Sequence, residues 1–233
     1  DIFDCRDDAQ LLPGMRQARQ AIGRGALVVI PTDTVYGVAA DAFNAAAVQR
    51  LLDAKGRTRE SPPPVLVAGT AMVRALVADL PEPVERLIEK FWPGGLTIVL
   101  PAQPSLTWDL GEPRGTVAVR MPDHRIALEL IEETGPLAVS SANLTGEAAA
   151  VDVLSAHQML GDRIDVYLDS GPVATGVPST ILDATGLARR EPGTARILRI
   201  GAVSADEIHE VIGDLLEDPA APVETDADDA GSA

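Results

Sequence analysis

The chain contains very little cysteine and lysine. Cys5 is the only cysteine among 233 residues, and Lys55 and Lys90 are the only lysines among 19 basic residues. A single cysteine excludes an intrachain disulfide and, in practice, a structural zinc site. No apolar run approaches the roughly 20 residues of a membrane span, and the acidic start DIFDCRDDAQ lacks the layout of a signal peptide. We therefore expect a soluble, cytoplasmic protein.

Positive charge is scarce along the whole sequence. The formal net charge is -16, and seven acidic residues with no cation follow from Asp214 onward. Residues 1–213 alone still carry a net charge of -9, which argues against a surface that binds nucleic acid mainly through phosphates. Because the last stretch, residues 217–233, has almost no apolar bulk to bury, we expect one folded domain over 1–213 and a disordered acidic tail over 214–233.

The common catalytic motifs are absent. There is no GxxxxGK[ST] phosphate loop and no G-x-S-x-G nucleophile motif, and the three histidines have no metal-ligand spacing. Covalent serine catalysis and a zinc hydrolase are therefore poor interpretations of this sequence.

Short β-branched runs alternate with segments of helical periodicity. Strands are predicted at 26–30, 64–68, 96–100, 116–120, 136–140, 165–169, 179–183 and 196–200. Helices are predicted at 9–23, 44–54, 70–79, 83–91, 123–133, 152–160 and 204–216, with Asn44 and Thr70 as N-caps and a capping box from Ser204 to Glu207. Since several connections between strands lack a helix, we expect an α/β fold whose twisted open sheet is mixed.

Polar side chains cluster where these strands begin or end. PTDTVYG follows the first strand and SSAN follows the fifth, while Arg120 and Arg199 lie near the ends of two others. Ligands bind beside strand ends in open α/β sheets. Each cluster also has an ordinary interpretation, because PTDTVYG could be a hydrogen-bonded turn and SSAN an ST-turn. Their occurrence together favours a binding site.

The segment DAKGRTRESPPP places Lys55, Arg57 and Arg59 on alternate positions before three prolines. These cations either complement the C-terminal dipole of the preceding helix or form a pocket for an anion. We expect Lys55 and Arg57 to lie on a loop and not in the core, so that replacing either should change thermal stability little.

Taken in order, PTDTVYG, AKGR, FWPGGLT, TVAVRMP, SSAN, PSTILD and ILRIG resemble the YrdC/Sua5 family of threonylcarbamoyl-AMP synthases. The resemblance covers about residues 20–210. It is to the short members of the family, which have a single domain. It implies a concave cationic cavity and a nucleotidyltransferase that forms L-threonylcarbamoyl-AMP and pyrophosphate from L-threonine, bicarbonate and ATP. A separate tRNA threonylcarbamoyl-transferase complex would use that product to make N6-threonylcarbamoyladenosine at position 37 of tRNAs.

The same resemblance implies roles for individual residues. The family's KxR and SxN motifs correspond to the catalytic residues Lys55, Arg57, Ser141 and Asn143. The threonine substrate would be bound by Thr34, Arg120 and Ser179, and the nucleotide by Lys55, Arg57, Thr116, Ser141, Asn143 and Arg199. Mg2+ would accompany ATP, and no metal would be held by protein ligands. Ser61 and Leu66 replace residues found in many members, and we leave both out of the threonine site.

Two other functions are compatible with a domain of this kind. The first is a binding factor for double-stranded RNA or the ribosome, although the acidic charge argues against it and leaves room for no more than a weak contact with tRNA. The second is a carbamoyltransferase, which would need additional modules for which the chain has neither the length nor the cysteines. A salt titration of tRNA binding would distinguish the first from a synthase.

Overall fold

The fold is described by a computed structural model that covers residues 1–112, 114–191 and 193–217. Its strands are β1 (Ile2–Asp4), β2 (Val28–Ile30), β3 (Gly37–Asp41), β4 (Val65–Leu66), β5 (Leu96–Pro101), β6 (Thr116–Arg120), β7 (Leu137–Ser141), β8 (Val166–Asp169), β9 (Thr180–Asp183) and β10 (Arg196–Arg199). Its α-helices are α1 (Asp8–Gly23), α2 (Ala45–Lys55), α3 (Thr70–Leu76), α4 (Glu82–Phe91), α5 (Arg125–Thr134), α6 (Val153–Leu160) and α7 (Ala205–Ile212).

All of these strands form one mixed sheet, in the order β1-β8-β2-β3-β7-β4-β6-β5-β9-β10. β1 and β2 run parallel to β8, whereas β3 runs antiparallel to both β2 and β7. The predicted mixed α/β fold is confirmed. β3 pairs Gly37 with Ser141 and therefore brings the turn before β3 beside the loop after β7.

Two strands were not predicted from the sequence. β1 is only three residues long, and β3 reads GVAAD, a run of glycine and alanine with weak strand propensity. The position of β3 between two other strands, where four of its five residues are buried, stabilises an extended conformation that its own composition does not favour.

Helices cover both faces of the sheet and bury three apolar clusters. One cluster packs α3, α4 and α7 against β5, β6 and β9, a second packs α1 and α5 against β2, β7 and β8, and a third packs α2 and α6 against the other face. Each fully buried Val, Leu or Ile contributes roughly 1.5–3 kcal/mol. No helix within the described ranges is both long and apolar enough to cross a membrane.

The helix ends agree with the sequence in two cases and differ in one. The Asn44 side chain accepts a hydrogen bond from the amide of Ala47, and the capping box between Ser204 and Glu207 is present. The prediction of Thr70 as an N-cap is wrong, because Gly69 occupies the cap position and Thr70 is already helical.

The folded part of the chain extends past residue 213. Helix α7 ends at Ile212, earlier than predicted, and a 3-10 turn over Gly213–Leu215 brings Leu216 into the largest apolar cluster. The amide of Glu217 donates to the carbonyl of Ala195 at 2.8 Å. The domain boundary predicted after residue 213 is therefore too early, and residues 218–233 of the predicted tail lie outside the described residues.

Candidate active site

A cavity of about 310 Å³ is lined by residues of β5, β6, β7 and β9. Its walls contain the turn before β3, the three prolines before β4, and Leu66 of β4. Its polar lining residues are Thr32, Thr34, Arg57, Thr97, Thr116, Arg120, Ser140, Ser141, Ser179 and Arg199. Seven of the nine predicted site residues belong to this set. Lys55 and Asn143 do not line the cavity.

Arg120 is held rigidly at one side of the cavity. Its Nε donates to the carbonyl of Gly94 at 2.8 Å, its Nη1 to Thr34 Oγ1 at 2.9 Å and its Nη2 to Asp33 Oδ1 at 2.6 Å. Asp33 also accepts from the amide of Asp123. These contacts use one N–H on each terminal nitrogen and leave a second N–H on each, which is the number of donors that a bidentate contact with a carboxylate needs.

The turn before β3 positions Thr34. The Thr32 hydroxyl donates to the carbonyl of Val35 at 2.6 Å and accepts from the amides of Thr34 and Val35. The ordinary interpretation of PTDTVYG as a hydrogen-bonded turn is thus correct, and the turn also presents Thr34 to the cavity. The same segment therefore forms a local turn and contributes to the cavity.

Arg57 and Arg199 are cations without a carboxylate partner among the described residues. Arg57 Nη1 donates to Ser140 Oγ at 3.0 Å, and Arg199 donates twice to the carbonyl of Ser179, at 3.2 and 2.7 Å. Burial, followed by the charge of Arg57, lowers the pKa of Arg199. The guanidinium groups of half-buried Arg57 and of more exposed Arg199 repel each other in one cavity, which favours the binding of an anion between them.

Ser179 belongs to a buried hydroxyl pair that we did not predict. Its Oγ lies 2.8 Å from Thr97 Oγ1 and 3.3 Å from Arg199 Nη2. Thr97 lies within the apolar run of β5. Side chains alternate between the two faces of a strand, and only this alternation would have indicated from the sequence that Thr97 faces the cavity. Leu66, which we had left out of the threonine site, also lines the cavity.

Lys55 lies in the core and not on a loop, which corrects our expectation from the sequence. It is the last residue of α2, is 3% exposed, and donates to the carbonyls of Ser141 and Asn143 and to Asn143 Oδ1. Burial and, secondarily, the nearby Arg57 lower the pKa of Lys55 to about 8. Gly56, at φ 63°, ends α2. The chain changes direction at this residue, so that the side chains of Lys55 and Arg57 have different surroundings.

Asn143 is likewise turned into the loop after β7. Its Nδ2 donates to the carbonyls of Leu144 and Glu147, both at 2.8 Å. The amide of Thr145 donates to the carbonyl of Lys55 at 3.0 Å. Lys55 and Asn143 therefore fix the loop that follows Ser141, while Ser141 itself faces the cavity.

Residues 20–201 match the Sua5/YciO/YrdC family model, whose description reads "Telomere recombination". A Mycobacterium leprae protein, provisionally named as a threonylcarbamoyl-AMP synthase, is 50% identical over 213 residues, which are 91% of this chain and 94% of that protein. The Bacillus subtilis threonylcarbamoyl-AMP synthase is 37% identical over 88% of this chain and 58% of its own length. The structure of P. abyssi Sua5 complexed with L-threonine has a TM-score of 0.80 and 36% identity, and it covers 87% of this chain and 58% of that longer one.

Proposed function

We propose that this chain, which belongs to the Sua5/YciO/YrdC family, is a threonylcarbamoyl-AMP synthase. It would form L-threonylcarbamoyl-AMP and pyrophosphate from L-threonine, bicarbonate and ATP, which makes it a nucleotidyltransferase. The observation that carries this proposal is the placement of Arg57, Arg120 and Arg199 around one cavity in an otherwise acidic chain. All three substrates are anionic or carry a carboxylate.

The threonine substrate would bind at the Arg120 side of the cavity. Arg120 has one further N–H on each terminal nitrogen for the carboxylate, and its position is fixed by Thr34, Asp33 and Gly94. Asp33 offsets part of the cost of burying the guanidinium. The hydroxyls of Thr34 and Ser179 would bind the polar groups of the substrate, since both lie in the wall of the same cavity.

The nucleotide would bind where Arg57 and Arg199 lie, and its subsite would adjoin the threonine subsite at Ser179, which Arg199 contacts. Their guanidinium groups suit bidentate contacts with phosphate oxygens. Ser141 and Thr116 line the cavity nearby and would provide hydroxyl contacts. Pro62, Pro63 and Pro64 form an apolar wall whose backbone is restricted before any ligand arrives, which reduces the entropy lost on binding.

In the proposed reaction, the threonine amine and bicarbonate first give a carbamate and water. A carbamate oxygen then forms a bond to the α-phosphorus of ATP, while the bond from that phosphorus to the pyrophosphate group breaks. Both partners are anions, and their repulsion must be offset by fixed positive charge. Preorganised electrostatic stabilisation of this kind is usually the largest catalytic contribution. Arg57 and Arg199 would supply it, with no covalent nucleophile from the protein.

Lys55 would act on this reaction through the loop after β7. All three N–H groups of its ammonium have protein acceptors, namely the two carbonyls and Asn143 Oδ1. It therefore holds Ser141 and Asn143 in place, and its charge adds to the positive potential behind the cavity wall. A direct contact between Lys55 and a phosphate would first require those hydrogen bonds to break.

Mg2+ would be carried by the phosphates of ATP. None of the described residues that line the cavity is a carboxylate, and the described part of the chain has no group of three His, Cys, Asp or Glu side chains suited to a metal ion. This donor set fits a metal that is bound mainly by substrate oxygens and water, as is usual for Mg2+ with nucleotides. The metal would neutralise charge on the β- and γ-phosphates.

A tRNA threonylcarbamoyl-transferase complex would consume the product in the cytoplasm. The mixed anhydride between carbamate and phosphate is reactive toward water, so that transfer to this partner should follow synthesis closely. A direct contact between this chain and tRNA could be at most weak, because the net charge is -16.

Pyrophosphate release tests the proposed function. Purified protein with ATP and Mg2+ should release pyrophosphate only when both L-threonine and bicarbonate are present. Removal of either one should reduce the rate to background, and Arg57→Ala should lower it strongly in the complete mixture. Release of the same amount of pyrophosphate without threonine would contradict the proposal.

A further inference from the structure

Arg59, the third cation of the alternating run, does not reach the cavity. Its Nη2 forms an ion pair with Asp109 Oδ1 at 2.5 Å, and its Nη1 donates to Gln49 Oε1 of α2 at 3.0 Å. The sequence singled out Arg59 together with Lys55 and Arg57, but the proposed reaction uses only the other two. Its contacts indicate what the third cation does.

The main chain of Arg59 is contacted as well. Its carbonyl accepts from the amide of Glu112 at 2.8 Å. Gly111 packs directly on that carbonyl, because a Cβ on Gly111 would lie 2.6 Å from Arg59 O, and Gly111 has a φ of 109° that favours glycine. Asp109 Oδ1 also accepts from the amide of Gly111 at 3.1 Å. The segment 108–112 is thus folded around Arg59.

This contact joins two parts of the cavity wall. The loop over residues 56–61, here called the Arg57 loop, carries the cation that faces the cavity, and Leu110 of the segment 108–112 is a buried lining residue. Trp108 stacks on Phe43, which precedes α2, with ring centroids 5.4 Å apart. Arg59 joins the Arg57 loop to α2 and to the segment 108–112, whereas the Arg57 side chain makes one hydrogen bond to a described residue, Ser140.

We infer that Arg59, Asp109 and Gly111 form a latch that positions the Arg57 loop for the nucleotide, and that Arg59 is a positioning residue. This inference rests on the proposed function for its kinetic consequence, but the ordering of the loop can be measured without any activity. Loss of the latch should weaken the use of ATP and leave the use of threonine unchanged, because Arg120 is held by the separate contacts to Thr34, Asp33 and Gly94.

The first experiment compares Asp109→Ala with a matched control, Glu85→Ala. Both variants remove the carboxylate of a half-exposed ion pair between an arginine and an acid on different elements, but the pair of Glu85 with Arg74 joins α3 and α4 away from the cavity. Because such pairs contribute modestly, we expect Asp109→Ala to raise KM for ATP about 2- to 5-fold. The KM for threonine should stay unchanged, and Glu85→Ala should leave both constants unchanged. Asp109→Asn, which keeps an oxygen acceptor, should be intermediate.

The second experiment measures the order of the loop by limited trypsin digestion without substrates. Cleavage after Arg57 and Arg59 should be several-fold faster in Asp109→Ala than in the wild type, and unchanged in Glu85→Ala, because local opening controls proteolysis. Equal cleavage in all three proteins, or an equal rise of KM for ATP and threonine, would overturn the latch. If the wild type makes no product, the proposed function fails, while the digestion result still decides on the latch.

Discussion

The Nζ atom of Lys55 lies 2.6 Å from the main-chain oxygen of Asn143 and 3.2 Å from its side-chain Oδ1. These two residues belong to the motifs that the resemblance to the family made catalytic, yet in the structure they bind each other behind the cavity wall. The alternating cations then have three separate positions. Lys55 is buried under the loop after β7, Arg57 faces the cavity, and Arg59 contacts Asp109.

We predict that Lys55→Ala lowers both stability and synthesis, whereas Arg57→Ala lowers synthesis alone. Lys55→Ala leaves buried oxygens of Ser141 and Asn143 without their donor, at a cost of about 1–3 kcal/mol for each group that stays unsatisfied. The Arg57 side chain, which faces the cavity, makes one hydrogen bond to a described residue, Ser140. Thermal unfolding of the two variants beside the wild type measures the difference, and each kcal/mol corresponds to a shift in Tm of roughly 2–4 °C for a chain of this size.

Two results would contradict this assignment. If Lys55→Ala melts at the wild-type temperature, Lys55 does not hold the loop after β7. If Arg57→Ala keeps near-normal turnover with ATP, the phosphate contact proposed for Arg57 is wrong.

The pH dependence of the reaction should report on Lys55. Its pKa in the folded protein is about 8, lowered from 10.5 mainly by burial. Below that pH the ammonium has three N–H donors for its three acceptors, and above it the neutral amine has only two. We therefore expect kcat/KM for ATP to fall as pH rises through about 8. The fall in kcat should occur at a higher pH than the fall in kcat/KM, because bound phosphate favours the charged form of Lys55. A profile that stays flat up to pH 10 would contradict this role.

Selectivity for threonine should depend on Ser179. Serine lacks one methyl group, which a pocket can distinguish by only about 10- to 200-fold. Valine lacks the hydroxyl, and each buried partner left unpaired costs about 1–3 kcal/mol. We expect serine to be a poor substrate and valine a worse one. Ser179→Ala should lower threonine use and narrow the ratio between threonine and valine, as measured by kcat/KM at saturating ATP and bicarbonate. If the ratio of kcat/KM for threonine to that for valine is unchanged in Ser179→Ala, Ser179 does not bind the threonine hydroxyl.

Two truncations at the carboxyl end of the described fold should differ in their melting temperatures. Removal of residues 218–233 leaves every described contact of Leu216 and Glu217 with the Ala195 region intact, so that Tm and activity should stay unchanged. Truncation after Asp214 removes Leu216 from the apolar cluster, at a cost of roughly 1.5–3 kcal/mol. Its Tm should fall by several degrees. Equal melting temperatures for the two truncations would contradict the revised boundary.

Most of the fold could be predicted because periodicity reports which face of an element is buried. Helix α1 was predicted within one residue, and β5 and β6 likewise. β3 was missed because GVAAD has little intrinsic preference for a strand and becomes extended only between β2 and β7. Its stabilisation comes from partners distant in sequence, which no local pattern contains.

The candidate site was predicted less completely than the fold. The family motifs identified the polar segments that meet at the cavity, and Arg120 and Ser179 lie in its wall. The burial of Lys55 could not be predicted, since it depends on carbonyls of residues 86 and 88 positions away in the chain. Thr97 was missed because one hydroxyl within an apolar strand resembles an ordinary core position. The roles of Lys55 and Thr97 both depend on residues that are distant in the sequence and close in the fold.

The most direct test of the account is mass detection of the product itself. The purified chain is mixed with ATP, Mg2+, L-threonine and isotopically labelled bicarbonate, beside Arg57→Ala and the control Glu85→Ala. We predict that the wild type and Glu85→Ala form threonylcarbamoyl-AMP that carries the label, with an equal amount of pyrophosphate. Arg57→Ala should form very little. If the folded wild-type protein forms no labelled threonylcarbamoyl-AMP under these conditions, the central claim of a threonylcarbamoyl-AMP synthase is contradicted.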